Sequence, residues 1–473
     1  MITDAATKLP DTLQADIAIA GAGPAGIVLA LELANRGRSV LLVEGGGVEG
    51  PGAGALIYES STSGRSYPLN GSRLRWLGGT SNHWGGWVRP FDERDFTDQP
   101  ANGLPGWPIA LSELSTHYDS AAAWCEVGSD QYGMESVRGH EALSLLDLSD
   151  TRFSHRLFRF SPPTRFGRRY RRALEESELI DCRVNLNFSR LNQTDSEVRS
   201  AVAATLDGRE CQIRATHFVI AMGGVENPRF LLNQQNAPGN QSDFLGRCFM
   251  DHYGFSPGAM MARARMPYPR GQVASEDVMV VIAPDSMDPH SCFTLSPTRP
   301  DDVLPPDYWA NALIADEEST LYRLGMINAP TPHPESRITL TDERDALGLQ
   351  RAHLHWHLPD SDFDPVIQLY QTLMAELSGS GSARFKWTKR SPPAESDHVG
   401  VGYHHMGTTR MSASPDTGVV DANCRVWDRD NLFVLGSSVF PSAGFANPTL
   451  TIAALASRLG EHLDLSLGGE ANA

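Results

Sequence analysis

The chain has no C-x-x-C spacing anywhere: Cys125, Cys182, Cys211, Cys248, Cys292 and Cys424 lie far apart. That argues for reduced packing thiols rather than disulfides or a metal cluster, and no metal is expected. No uninterrupted apolar run reaches membrane-spanning length. The start, Met1-Ile2-Thr3-Asp4-Ala5-Ala6, has no basic n-region, twin arginine or apolar h-region. The expectation is a cytoplasmic protein with no membrane partner. Basic residues are in deficit, 40 Lys and Arg against 57 Asp and Glu, and the net charge of -17 repels nucleic acid while suiting a neutral small-molecule substrate. No internal repeat is visible. What is present, 473 residues of which 41% are hydrophobic, is enough for two cores or one discontinuous two-domain enzyme.

The N-terminal region carries the clearest motif. Ala15-Asp16-Ile17-Ala18-Ile19-Ala20 reads as a short buried strand running into Gly21-Ala22-Gly23-Pro24-Ala25-Gly26 and an apolar helix over 27–36. This is G-x-G-x-x-G in its required context. Gly21 permits the tight turn, Gly23 lets a pyrophosphate approach the backbone, and Gly26 allows the helix to pack on the strand. Phosphate charge then sits at the helix N-terminus. A second buried strand, Ser39-Val40-Leu41-Leu42-Val43, ends in Glu44, about 20 residues past the motif, where an acid can hold a ribose hydroxyl. Glu44 favours a free 2′-hydroxyl over a 2′-phosphate. The motif alone does not separate NAD from FAD.

Two further stretches carry chemistry. Leu77-Gly78-Gly79-Thr80-Ser81-Asn82-His83-Trp84-Gly85-Gly86-Trp87 makes poor helix or strand but a good close-contact loop. Near the C-terminus, Tyr403-His404-His405-Met406-Gly407-Thr408 is followed by Phe445-Ala446-Asn447-Pro448-Thr449-Leu450. A histidine can take a hydroxyl proton near neutral pH, an asparagine can hold the same oxygen, and a helix N-terminus can stabilise negative charge on a bound cofactor. Those parts together suit alcohol oxidation by hydride transfer.

The GAGPAG turn with Glu44, the GGTSNHWGGW loop, GGVENPRFLL at 223–232, LGRCFMDH at 245–252 and the C-terminal HHMGTTRM and NLFVLGSSVFPSAGFANPTLTIAALASRL resemble the glucose-methanol-choline (GMC) flavin oxidoreductases. The flavour is that of pyranose oxidases and bacterial glycoside 3-oxidases. The resemblance implies FAD rather than NAD. It carries cofactor contacts onto Gly21, Gly23, Pro24, Ala25, Gly26, Glu44, Gly79, Thr80, Ser81, Asn82, His83, Trp84, Gly85, Val184, Gly436, Ser437, Pro448 and Thr449. By position, His83 matches the histidine that is bonded covalently to the flavin in the pyranose-oxidase branch, whereas other branches bind FAD noncovalently. The family's catalytic histidine, three residues before the glycine of H-x-x-G-T, falls on His404, leaving His405 a supporting role. The partner position falls on Asn447, which cannot be a base but can orient an alcohol. The helix from about 448 to 463 has proline in its first turn, and its N-terminus is expected to face the flavin.

The implied reaction has His404 take a hydroxyl proton while hydride passes to the flavin N5, giving a ketone or aldehyde from a pyranose or glycoside. Oxygen, a quinone or a partner protein would then accept the electrons. A non-sugar alcohol, a hydroxynitrile lyase-like reaction without net redox, and a nonenzymatic flavin-binding subunit remain as alternatives. The expected fold is α/β, a discontinuous Rossmann-like FAD domain (1–95, 180–250 and 395–473) with a substrate domain and connections (96–179 and 251–394) built on an antiparallel sheet flanked by helices. Strands are expected at 278–282, 323–327, 337–340 and 351–358. His353, His355 and His357 share one face of the last strand, about 7 Å apart at each step. That is too far for one metal ion without other ligands, so they are expected to meet polar partners or the cavity. Arg168, Arg169, Arg171 and Arg172 read as a solvated helix face, and 297–307 as a solvated connection.

Overall fold

The computed structural model describes residues 1–50, 52–96, 102–128, 132–137, 144–263, 271–273, 276–297, 320–387, 392–394 and 399–470. An eight-stranded sheet runs in the order Ile2–Asp4, Ile180–Val184, Val40–Val43, Thr12–Ala20, Glu210–Ile220, Val198–Ala204, Asn187–Gln193, with Leu432–Val434 also on Glu210–Ile220. Its central pairs, Thr12–Ala20 with Val40–Val43 and with Glu210–Ile220, are parallel. Ile17, Ala18 and Ile19 are fully buried, the near-continuous apolar run expected of a strand covered on both faces.

The strand ends in a turn that only glycine allows. Gly21 has φ +106°, and a Cβ on Gly26 would lie 1.9 Å from the Gly21 carbonyl oxygen. The helix Pro24–Asn35 therefore sits directly on the strand, starting three residues earlier than the apolar pattern suggested because proline suits a first helical position. It packs against the long C-terminal helix Thr449–Glu470.

A ten-stranded sheet, its described pairings antiparallel, holds the second core, with Glu276–Pro284 and Thr320–Asn328 among its strands. These take in the expected strands at 278–282 and 323–327. Phe363, Val366, Leu369, Tyr370 and Leu373 of the helix Phe363–Gly379 pack on its inner face with Met260, Phe293 and Leu324. Trp87–Val88 and Gly400–Val401, assigned from sequence to the dinucleotide unit, pair within this second sheet. The other two expected strands are not part of it. Arg337–Arg344 and Gln350–Trp356 form a separate three-stranded sheet with Ser61–Gly64, which adds in parallel register.

That parallel strand explains the histidine row. Ala352, Leu354 and Trp356 are buried, while His353 lies 2.8 Å from the hydroxyls of both Ser61 and Ser63, and His355 Nδ1 lies 3.0 Å from Ser63. His353 and His355 meet serines and His357 packs against His333, so none of the three lines the cavity. Arg171 and Arg172 pair along their helix with Glu175 and Glu176 at 2.8 and 2.7 Å. Of the 297–307 stretch, all but Pro297 lies outside the described residues.

A buried ion network ties the end of the three-stranded sheet to the helix Glu226–Leu232, which follows Glu210–Ile220 of the first sheet. Arg73 meets Glu226 at 2.5 Å, Glu226 meets Arg229 at 2.8 Å, and Arg229 pairs with Asp345, whose side chain is fully buried. Removing one member strands a desolvated guanidinium. Asp345→Ala is expected to cost about 3 kcal/mol in denaturant unfolding; a loss under roughly 0.5 kcal/mol, the range of a surface change, would show that the network does not clamp the sheets.

Candidate active site

One cavity of about 660 Å³ extends from the glycine turn to the His404 loop, bounded on one side by the first sheet and on the other by strands of the second. Gly21, Gly23, Pro24, Ala25 and Glu44 line it at one end. Gly79, Thr80, Ser81, His83, Trp84 and Gly85 form part of its wall, and Gly436, Ser437, Pro448 and Thr449 another part, with His404 and Asn447. Three expected contacts do not line it. Gly26 is enclosed by the Gly21 turn. Asn82 turns its amide onto the Leu77 and Gly79 carbonyls, at 3.1 and 2.9 Å, and so shapes the loop instead. Val184 is buried beside Ile2–Asp4, and the segment that follows it lines the cavity at Leu186, Asn187 and Phe188.

Sequence reasoning also missed residues that do line the cavity: Tyr58, Arg73, Arg75, Glu226 and His252. Arg73 and Arg75 stand two apart in Ser-Arg-Leu-Arg-Trp, a pattern with no motif value. Their guanidinium carbons lie 4.7 and 5.9 Å from the Tyr58 ring centroid, within cation–π range. Glu44 is held by the amides of Ala22 at 3.0 Å and Gly46 at 2.9 Å, which fixes its carboxylate at the cavity wall.

At the far end three histidines lie together. His404 Nδ1 is 2.9 Å from His252 Nδ1, and His404 Nε2 is 3.4 Å from the Asn447 amide nitrogen. His405 points the other way, its Nε2 2.9 Å from Ser72 Oγ and its ring between Tyr67 and Phe249. The main chain separates the two neighbours: Tyr403 adopts φ +59°, and Asp251 accepts the amides of Tyr403 and His404 at 3.0 and 2.8 Å.

Burial sets the charge states here. It holds His404 well below the usual histidine range, helped by His252 and His405. His252 is pushed down to about 4 and His405 to about 3, each chiefly by desolvation. The Asp251 carboxyl is raised by burial to about 7, against the opposing pull of the Tyr67 hydroxyl and the backbone amides of His404, Tyr403 and Gly402. His83, half-buried, is lowered by desolvation and by Arg165. At neutral pH the far end is thus a set of uncharged imidazoles. Asn447 Oδ1, buried and without a hydrogen-bond partner among the described residues, offers an unused acceptor.

Residues 332–456, which include His404, His405 and Asn447, match the family model described as GMC oxidoreductase. Over these residues the chain carries a GMC oxidoreductase C-terminal region. It is 22% identical to the 2-methyl-1,2-propanediol dehydrogenase of Mycolicibacterium austroafricanum, over 95% of this chain and 95% of that protein. It is 30% identical to a C-glycoside 3-oxidase of Microbacterium trichothecenolyticum, over 32% of this chain and 29% of the relative. The fold is that of pyridoxine 4-oxidase from Mesorbium loti, with a TM-score of 0.59 at 20% identity, covering 95% of this chain and 99% of that one. Among the described residues no helix is long and apolar enough to cross a membrane, and all six cysteines are buried.

The depressed histidines carry a pH signature. His405 is neutral when folded and takes a proton near 6.5 when unfolded, so its stabilising contribution is present above 6.5 and is lost as pH falls towards its folded value of about 3. Between pH 6.5 and 4.5 the parent should lose about 2 kcal/mol more stability than His405→Gln, from one group binding a proton only in the unfolded chain. Equal losses in guanidinium melts at the two pH values would contradict that burial.

Proposed function

We propose that the protein oxidises a secondary hydroxyl of a pyranose or glycoside, with FAD as its bound cofactor. The observation that carries the reading is His404 Nε2 beside the Asn447 amide, at one end of a cavity whose other end begins at the Gly21–Gly23 turn. The residues fit such a dinucleotide. Cβ positions on Gly23, Gly223 and Gly436 have no atom within 4 Å, leaving backbone open to close approach, and all three line the cavity. The turn before Pro24–Asn35 would hold the diphosphate, Glu44 a ribose hydroxyl, and the start of Thr449–Glu470 the far end. His83 is the residue proposed to carry a covalent link, its ring stacked 6.3 Å from Tyr403. FAD, when bound, supplies the hydride acceptor.

The chain's own part is to bind and deprotonate. A substrate hydroxyl between His404 and Asn447 gives its proton to His404 Nε2 and accepts from the Asn447 amide, so charge developing on oxygen is met by a fixed donor. Neutral His404 is ready for this without first losing a proton. Electrons then pass to oxygen, a quinone or a partner protein.

A second reading, a non-sugar alcohol, is favoured by one feature. The second-sheet residues lining the cavity include Trp87, Met326, Ile327 and Val401, apolar surface that suits a small diol as well as a sugar ring. The diol dehydrogenase relative, alike over 95% of both chains, supports the same alternative.

Anaerobic mixing with monosaccharides, aryl glycosides, C-glycosides and 1,2-diols should bleach the flavin with one class, and failure of the whole panel would remove the reading. His404→Ala should keep its cofactor yet lose about 10²- to 10⁴-fold in the rate of substrate-driven reduction, the range of a general base. Acid precipitation should leave flavin on the parent and release it from His83→Ala. Complete release from the parent would rule out the covalent link.

A further inference from the structure

The LGRCFMDH stretch ends in two adjacent residues that no step above uses, Asp251 and His252. Both are buried, and both turn onto His404 from a segment that runs antiparallel to its loop. Met250 and Met406 exchange main-chain bonds at 3.0 and 2.9 Å, and the Gly402 amide donates to the His252 carbonyl at 3.0 Å. We propose that Asp251 and His252 are positioning residues for His404: Asp251 fixes its main chain, and His252 fixes which ring nitrogen carries the proton. The inference rests on the reading of His404 as the base.

The Asp251 half follows from three donors on one carboxyl. Tyr403 and His404 give it their amides, and Tyr67 gives its hydroxyl at 2.6 Å. Tyr403 is not glycine, yet its φ of +59° lies in the left-handed region, where an L side chain needs outside restraint. The carboxyl bridges that residue to the next and so sets the direction in which the His404 side chain leaves the loop.

The His252 half is an argument about protons. His252 Nε2 lies 2.8 Å from the Gly444 carbonyl oxygen, which can only accept, so Nε2 carries the hydrogen. Burial keeps this ring neutral, so its Nδ1 holds a lone pair. That lone pair faces His404 Nδ1 at 2.9 Å, with the rings at 84°. His404 must therefore donate from Nδ1, which leaves its Nε2 unprotonated on the Asn447 side. A proton taken up at Nε2 leaves the Nδ1 bond intact, so the base changes charge without turning. Gly402 adds a steric condition: a Cβ there would lie 2.6 Å from His404 Nδ1.

The test uses FAD-loaded protein. In parent protein labelled with [¹⁵N]histidine, the His404 signals, assigned by their loss in His404→Ala, should show Nδ1 protonated and Nε2 bare at pH 7.5. His252→Leu should let the Nε2-protonated form appear and slow flavin reduction by about 10- to 100-fold, the cost of one unmade buried hydrogen bond, with substrate Kd within about threefold. His252→Asn, whose Oδ1 replaces the acceptor, should recover most of that rate. The pH profile is read against the groups that face the pair: His405 and Asp251 around His404, and Asp95, paired with His290, near His252. Asp251→Asn, which turns one acceptor into a donor against a backbone amide, should slow reduction while leaving the tautomer unchanged. An Nε2-protonated His404 in the parent, or parent-like rates in His252→Leu, would overturn the His252 half. A parent-like rate in Asp251→Asn would overturn the other. Normal reduction by His404→Ala would instead remove the base reading, whereas the parent tautomer is read without turnover.

Discussion

The candidate site depends on keeping its histidines dry without leaving them charged. At the far end of the cavity His404, His252 and His405 are all forced neutral by burial, and each finds a hydrogen-bond partner. An imidazolium there would lack a counter-ion beyond Asp251, whose own carboxyl is pushed up towards neutrality. A base in such a place is ready at physiological pH, and its proton uptake is coupled to whatever negative charge arrives with the reaction. The same desolvation that makes the group reactive makes it a liability in acid.

Two distant parts of the chain must meet for this to work. The glycine turn after Thr12–Ala20 fixes where a dinucleotide can approach, and the C-terminal helix Thr449–Glu470 packs on the helix that leaves the turn. Asn447 and Pro448 are therefore carried to the same cavity as Glu44. The second sheet supplies the opposite wall through Trp87, Met326 and Val401. The buried Arg73–Glu226–Arg229–Asp345 chain locks the small sheet against this assembly.

What was legible in the sequence was what local chemistry dictates. Gly21 and Gly26 are readable because a tight turn and a close helix–strand contact admit no side chain, and the parallel strands because burial on both faces makes them uniformly apolar. The residues of the C-terminal block were found through their family resemblance. What stayed hidden depends on pairings between remote segments. Ser61–Gly64 joins Gln350–Trp356 across a separation of 292 residues, so nothing near His353 announces its serine partners. Asp251 and His252 stood in a quoted motif, but their bonds to a loop 150 residues later exist only once residues 250–252 pair with 402–406. Val184 and Asn82 do not line the cavity, since a motif gives a position along the chain and not the direction of a side chain.

The most direct measurement is a crystal structure of the FAD-loaded protein with an unreactive substrate analogue that keeps its hydroxyl. The account predicts the dinucleotide lying from Glu44 to Asn447 and the analogue's oxygen within hydrogen-bonding distance of both His404 Nε2 and the Asn447 amide. An analogue oxygen bound to His405 instead, or held away from every histidine, would contradict it.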